Sequence, residues 1–553
     1  MRQIFKLNLF SIILLTSQVI ATTFYGTVRD ERSHLALYQA KVKIIVSDWD
    51  VVDSTYTNIG GRWMFSYTSV APVTPVLPQG IALGNNYPNP FNPSTIIPFR
   101  TNQSGMVTFT VHDIRGRSIA RETFYTNAGE YEIHWASAGA AGLYLYTLEQ
   151  AGYRETRKMI QLDGGRGSVG GVQQVRQING YLPQENLSKP AETEATIIAE
   201  RLGYLPDTIT VVIEENADYP SYLQSVHDWA TLIDLHNDVL EVLSSDTAYH
   251  LADRHTNHHT DIPRMQDGGV NMQWFSVWIS PSTYPDNPYQ IALNFIDIFD
   301  AEVSANPATL GMATTPQEAL ALNAAGKIAG IYGVEGGHTI ENSLDNLYQL
   351  YDLGMRYLTI TWNNSTDWAV SAQDDRSETV GLSEFGRQVI RTLDSLGIII
   401  DISHTGIQTI NDILEETTNP IIATHSGVRA LRDHYRNLTD NQIIDIANSG
   451  GVIGIVFYDY FLDYPGEWVS VSTVIDHIDY IVNLVGVDYV AIGSDYDGIG
   501  QNDAPSGLED TSKYPNLTMG LINRGYSNED IRKILGGNFM RVFEQVCGDQ
   551  PVQ

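Results

Sequence analysis

GIIIDISHTG (residues 397–406) and PIIATHSG (residues 420–427) are short apolar runs that each end at a histidine, with one helix-length segment between them. A short apolar run bounded by turn residues reads as a strand buried on both faces, the kind found in parallel sheets. Six runs of the same texture flank the pair: TLIDLHND (231–238), NMQWFSVWI (271–279), IAGIYGVEGGH (328–338), RYLTITWN (356–363), GGVIGIVFY (450–458) and YVAIGSDYDG (489–498). Strands alternating with helix-length segments predict an α/β fold, a TIM-like (β/α)8 barrel, over residues 225–548. The C-terminal ends of all strands in such a barrel surround one mouth, where residues distant in sequence meet. These runs deliver His236, Asp238, Glu335, His404, His425 and Asp495 to that mouth. Three imidazoles and up to three carboxylates at one point form a site for two divalent ions, so the chain reads as a metallohydrolase.

Each ligand also has a local argument. Strand alternation points His236 and Asp238 to one face and Asn237 away, although a lone HxD also occurs by chance and at turns. His404 and His425 end successive strands, and neighbouring parallel strands lie about 4.8 Å apart, a spacing at which two imidazoles can share an ion. Glu335 sits in GVEGG, where glycines allow a ligand close approach. Asp495 ends the eighth strand, where it is placed to accept a proton from the nucleophile. A turn-capping role for Asp495 or Asp497 is the alternative, because SDYDG is also good turn chemistry.

Composition narrows the classes. A chain of 553 residues exceeds one hydrophobic core, so two or three domains are expected. A net charge of −32 argues against nucleic acid or an anionic membrane as partner. Arg2 and Lys6 precede an apolar stretch too short to span a bilayer comfortably, and Val19-Ile20-Ala21 offers small residues for cleavage. Residues 1–21 therefore read as a signal peptide of an exported protein, periplasmic, surface-bound or secreted, and the ending CGDQPVQ offers no glycolipid-anchor tail. Cys547 is the only cysteine, which excludes an internal disulfide and a thiolate metal cluster.

The front of the chain has another texture. AKVKIIV and GRWMFSY alternate like short strands. After a Pro-rich break come LGNNYPNPFNPSTIIPF, VTFTVHDIRGRSIA and AGLYLYTLEQAG, with Pro88, Pro90 and Pro93 at edge or turn positions. This stretch resembles the β-sandwich sorting domain of the type IX secretion system, here internal (residues 78–163) instead of C-terminal. The resemblance implies secretion machinery or cell-surface attachment as a partner. Residues 22–76 with 190–217, including ATIIAERLGYLPDTITVVIEEN, resemble a discontinuous carboxypeptidase-regulatory-like sandwich, and Gly-rich residues 164–189 read as the linker leaving the insertion.

From residue 227 onward, HND (236–238), VEGGH (334–338), GLSEFGRQVI, DISH, HSGVRALRDHYRN, GSDYDG, GLEDTSKYP and GGNFMRVF recur in the order of the membrane (renal) dipeptidase family of zinc peptidases, which the barrel resembles. The resemblance implies two zinc ions, with Glu335 bridging, His236 and Asp238 on one and His404 and His425 on the other. It implies hydrolysis of dipeptides by a hydroxide between the ions, and places Arg436 of HYRN on the substrate's free carboxylate. Family members carry LTH after the fourth strand, with a histidine polarising the scissile carbonyl, whereas this chain reads Ile360-Thr361-Trp362. Trp362 keeps an N–H donor without positive charge, so it is taken as a substrate contact, and Asn363 or Asn364 is an alternative donor. His255, His258 and His259 read as a loop near the mouth, His338 as orienting Glu335 or its loop, and His434 and His477 as ordinary hydrogen-bonded residues. Partner expectations are a dipeptide-like substrate and a second copy of the chain as a homodimer. Two alternatives stay open: another binuclear amidohydrolase acting on β-lactams, lactones or N-acyl amino acids, and a catalytically silent surface-binding barrel.

Overall fold

The computed structural model describes residues 20–46, 53–69, 81–84, 86, 94–113, 115–137, 142–161, 171–178, 194–214 and 216–548. Most of the expected signal peptide (residues 1–19), Pro88, Pro90, Pro93 and parts of the expected linker (164–170 and 179–189) lie outside them. Among the described residues no helix is long and apolar enough to cross a membrane.

The described residues form two compact units, one within residues 66–193 and the other from residues 24–65 and 194 onward. The first holds two antiparallel sheets of four strands. Their orders are Tyr153–Gln161, Gly142–Gln150, Gly105–Asp113, Ser118–Thr126 and Gly171–Ile178, Gly129–Ala136, Ser94–Thr101, Ile81–Leu83. Strand alternation turns Phe99, Phe109, Ile133, Trp135 and Tyr146 into one buried cluster contributed by both sheets, as a sandwich requires. Gly171–Ile178 corrects the linker expectation over 164–189: it is a strand paired antiparallel with Gly129–Ala136. Its sequence GVQQVRQI is polar and carries little strand signal, so the ladder to its neighbour decides its conformation.

In the second unit, Lys41–Val46 and Asp53–Tyr56 share an antiparallel sheet with Glu194–Glu200 and Asp207–Val212, joining segments on either side of the intervening unit. Ser221–Leu223 pairs parallel with Ile20–Asp30 just before the barrel begins. Arg32 donates to Asp228 at 2.8 Å, and Asn528 both accepts from the Gly203 N–H (2.9 Å) and donates to the Tyr204 carbonyl (2.8 Å). The small β domain is therefore tied directly to the barrel's outer helices.

The barrel strands are β1 (Leu232–Asn237), β2 (Val270–Trp278), β3 (Ile328–Glu335), β4 (Tyr357–Thr359), β5 (Ile399–Asp401), β6 (Ile421–Ser426), β7 (Ile453–Ile455) and β8 (Val490–Ile492). All pair in parallel in the order β2-β1-β8-β7-β6-β5-β4-β3, and a seven-residue ladder between β2 and β3 closes the ring. Leu310–Met312 adds a short strand against the start of β3. Ile233, Met272, Trp274, Ile331, Tyr357, Ile399, Ile422 and Ala491 form one buried cluster. A cluster drawn from strands all around a ring can only be its interior, and Phe539 and Phe543 of the helix Asn538–Cys547 pack edge-on against Trp274 to continue it. The expected TIM-like barrel preceded by all-β sheets is the fold observed.

Candidate metal centre

The strand ends deliver the six expected side chains to one point. His236 lies in β1, and Asp238 immediately precedes the helix that follows it, its side chain making no capping hydrogen bond. Glu335 is the last residue of β3, and His425 is the penultimate residue of β6. His404 and Asp495 each stand three residues beyond their strands, and both have left-handed backbones with φ of 64°. That conformation costs a non-glycine residue about 1–3 kcal/mol and persists only where the surroundings impose it, typically at functional sites.

Glu335 is central. Its Oε1 lies 3.0 Å from His404 Nε2 and 3.7 Å from His425 Nε2, while its Oε2 lies 3.3 Å from His236 Nε2. The Ser276 hydroxyl also reaches Oε2 at 3.3 Å. On the far side, His236 Nε2 is 3.4 Å from Asp238 Oδ2 and 4.0 Å from Asp495 Oδ1. His404 and His425 face each other through Nε2 atoms 3.1 Å apart. Two overlapping groups, His236–Glu335–His425 and His236–Asp238–Asp495, each bring three donor atoms within the span of one cation. Gly498 makes room for the carboxylates, since any Cβ there would collide with Asp238 Oδ2 and Asp495 Oδ1.

The electrostatics suit cations. All six side chains are nearly excluded from solvent. Burial and the Arg436 guanidinium lower His404 to about 4, and burial with His236 lowers His425 well below the usual range, so both imidazoles are neutral with lone pairs to offer. Burial alone would raise Glu335, but His236 and His404 outweigh it and hold the carboxylate well below its ordinary range. Burial, reinforced by Asp238 and Glu335 against the pull of His236, holds Asp495 well above its own. His236 Nε2 and Asp238 Oδ1 are buried without a hydrogen-bond partner, a costly arrangement unless something else satisfies them. A donor set of imidazole and carboxylate fits zinc, manganese or iron better than magnesium or calcium.

A second layer of groups aims the ligands, and sequence reasoning missed most of it. The Tyr357 hydroxyl lies 3.1 Å from His236 Nδ1. His404 Nδ1 donates to the Asn363 carboxamide oxygen at 2.9 Å, so that oxygen is engaged behind a ligand. Arg436 is buried in the loop after β6, donates from Nη2 to the His425 carbonyl at 3.2 Å, and has an Nε with no partner. Trp362 is half-buried, its ring 6.1 Å from that of His404 and 5.1 Å from that of Trp278. His338 donates to the Ile279 carbonyl (2.9 Å) and so anchors the loop, with no hydrogen bond to Glu335. His259 is bound to Asp497 of the β8 loop, His434 Nδ1 accepts from the Arg436 N–H, and His477 bridges Val428 and Leu462. Nothing in a linear sequence marks Tyr357 or Asn363 as neighbours of an imidazole.

A closed parallel barrel whose mouth gathers three imidazoles and three carboxylates defines a metal-dependent hydrolase. Residues 222–549 match the membrane dipeptidases, peptidase family M19, and the chain belongs to that family. Mouse (Mus musculus) Dipeptidase 3 is 35% identical over 337 residues, covering 58% of this chain and 67% of that protein. Human (Homo sapiens) Dipeptidase 3 is 36% identical over 323 residues, covering 57% and 65%. The chain thus spans about two thirds of the length of these curated relatives. A metallopeptidase from Rhodobacter sphaeroides, solved with a phosphinate mimic of the dipeptide L-Ala-D-Ala, superposes with a TM-score of 0.54 at 26% identity, covering 57% of this chain and 99% of that one. Residues 85–161 match the secretion system C-terminal sorting domain. The resemblances to the membrane dipeptidases and to a secretion sorting domain are borne out.

Proposed function

We propose that the protein is an exported dipeptidase that holds two divalent ions, zinc foremost, at the barrel mouth and hydrolyses the peptide bond of dipeptides with a free carboxylate. One observation carries this reading: the two oxygens of Glu335 face opposite ways, one toward the His404–His425 pair and the other toward His236, beside which Asp238 lies. A carboxylate so divided could serve two cations, one that His404 and His425 would hold and one that His236 and Asp238 would hold. Such ions would supply Lewis acidity and acidify a water toward neutral pH. Asp495, whose Oδ1 lies 4.0 Å from His236 Nε2, takes up the proton of the attacking water and returns it to the departing amine. Trp278 and Trp362 form an aromatic wall beside His404 against which a substrate side chain packs. The sandwich matching the sorting domain serves export or surface attachment, and it forms a compact unit of its own.

Purified full-length protein should contain two divalent ions per chain and cleave dipeptides when screened in both chiralities. Chelation should abolish cleavage and zinc should restore it. Activity that survives complete metal removal would overturn the proposal.

Arg436 grips the substrate carboxylate in this reading, because a buried guanidinium with an unpartnered Nε is the donor such a group needs. Arg436→Met should raise KM and lower kcat/KM by about 10²-fold, the effect of leaving a buried charge unpaired. Dipeptide amides, which lack the carboxylate, should be cleaved equally poorly by both proteins. An Arg436→Met enzyme with unchanged KM would remove this residue from substrate recognition.

A further inference from the structure

His425 is held from behind by a hydrogen-bonded chain spread over three consecutive strands. Thr359 (β4), Asp401 (β5) and Thr424 (β6) are all fully buried. Asp401 Oδ1 accepts the backbone N–H groups of Ser403 (3.0 Å) and Thr424 (2.8 Å). Its Oδ2 accepts the hydroxyls of Thr359 (2.6 Å) and Thr424 (2.7 Å). The single hydroxyl proton of Thr424 is therefore committed to Asp401, and its oxygen can only accept from its other neighbours. Those are His425 Nδ1 at 2.9 Å and Ser403 Oγ at 3.2 Å. A neutral imidazole has one N–H. If Nδ1 donates to Thr424, Nε2 carries the bare lone pair, and Nε2 is the atom that faces Glu335 and His404.

We infer that Asp401, acting through Thr424, is a positioning residue that fixes the tautomer of His425 and thereby makes it a metal ligand. The inference rests on the two-ion reading above for its consequence, but the tautomer itself is a property of the metal-free chain. The geometry makes Asp401→Asn a polarity switch. Two backbone N–H groups face Oδ1, so the asparagine must keep its carbonyl there and set its NH2 where Oδ2 was. That NH2 donates to Thr359 and Thr424, and the Thr424 proton turns to its nearer neighbour, His425 Nδ1. The imidazole proton moves to Nε2 and occupies the lone pair that should bind the ion.

The test uses full-length protein labelled with 15N-histidine. Long-range 1H–15N correlations on the metal-free form report the His425 tautomer, with the signal assigned by its loss in His425→Gln. Zinc titrations against a chromophoric chelator report the two affinities. Wild type should show the Nδ1–H form and two ions. Asp401→Asn should show the Nε2–H form, with one ion weakened 10- to 100-fold, the range for supporting residues behind a ligating histidine, and the other unchanged. Thr424→Val, which removes the acceptor, should weaken the same ion, and Thr424→Ser should restore it; this pair decides the matter if Asp401→Asn does not fold. An Asp401→Asn protein that keeps the Nδ1–H form and both affinities, or a Thr424→Ser protein no better than Thr424→Val, overturns the inference. A tautomer that switches while wild type binds fewer than two ions supports the inference and removes the two-ion reading instead.

Discussion

Replacing Glu335 by glutamine should strip the protein of both ions while leaving the barrel folded. The substitution keeps the shape of the side chain and the Ser276 contact is compatible with it, so secondary structure and the cooperative melt should persist. Glutamine has one carbonyl oxygen and one NH2, and an amide nitrogen with two hydrogens has no lone pair for a cation. Whichever way it turns, one side of the site faces N–H groups, and the side that retains an oxygen loses the negative charge that His236 and His404 stabilise. Elemental analysis after dialysis should find well under one ion per chain. Loss of the metal-dependent stabilisation should raise the barrier by several kcal/mol and so lower kcat/KM about 10³-fold or more. Two retained ions with unchanged turnover would falsify the bridging assignment.

Asp495→Asn should separate binding from chemistry. Asparagine tolerates the left-handed backbone at least as well as aspartate, so φ of 64° at this position is not a reason for misfolding. The change also keeps the volume that Gly498 leaves open. What disappears is the ability to accept and return a proton. The variant should hold both ions and bind substrate normally, with kcat reduced roughly 10²–10⁴-fold, the usual contribution of a positioned acid–base group. Metal content and single-turnover rates measured together discriminate the outcomes. Loss of an ion would make Asp495 a ligand first, in keeping with its place beside His236 and Asp238, and undiminished turnover would remove it from the reaction.

Several of these features were legible before any coordinates. Each barrel strand announces itself by an apolar run that breaks at a polar residue, because a strand covered on both faces has nowhere to place polar side chains until it reaches the mouth. Parallel strands joined by right-handed crossovers leave little choice of ring order, so the convergence of His236, Glu335, His404 and His425 follows from their positions in the runs. The internal sorting-domain motif was equally plain, since NYPNPFNPST is local. Gly171–Ile178 was not, because a polar segment becomes a strand only when a neighbour offers it a ladder.

Which atoms arrive at the barrel mouth can be read from the chain alone: three imidazoles and three carboxylates, with an arginine and a tryptophan nearby. Periodicity and strand order are local or topological properties, and a chain states them directly. Only the tertiary structure decided how those atoms face one another. The division of Glu335's oxygens, the left-handed turns at His404 and Asp495, and the Asn363, Tyr357 and Thr424 contacts behind the imidazoles depend on rotamers chosen by packing between strands. The residues behind each imidazole lie from one to 121 positions away in the chain, and hydrogen-bond direction is settled by what each partner has already given away.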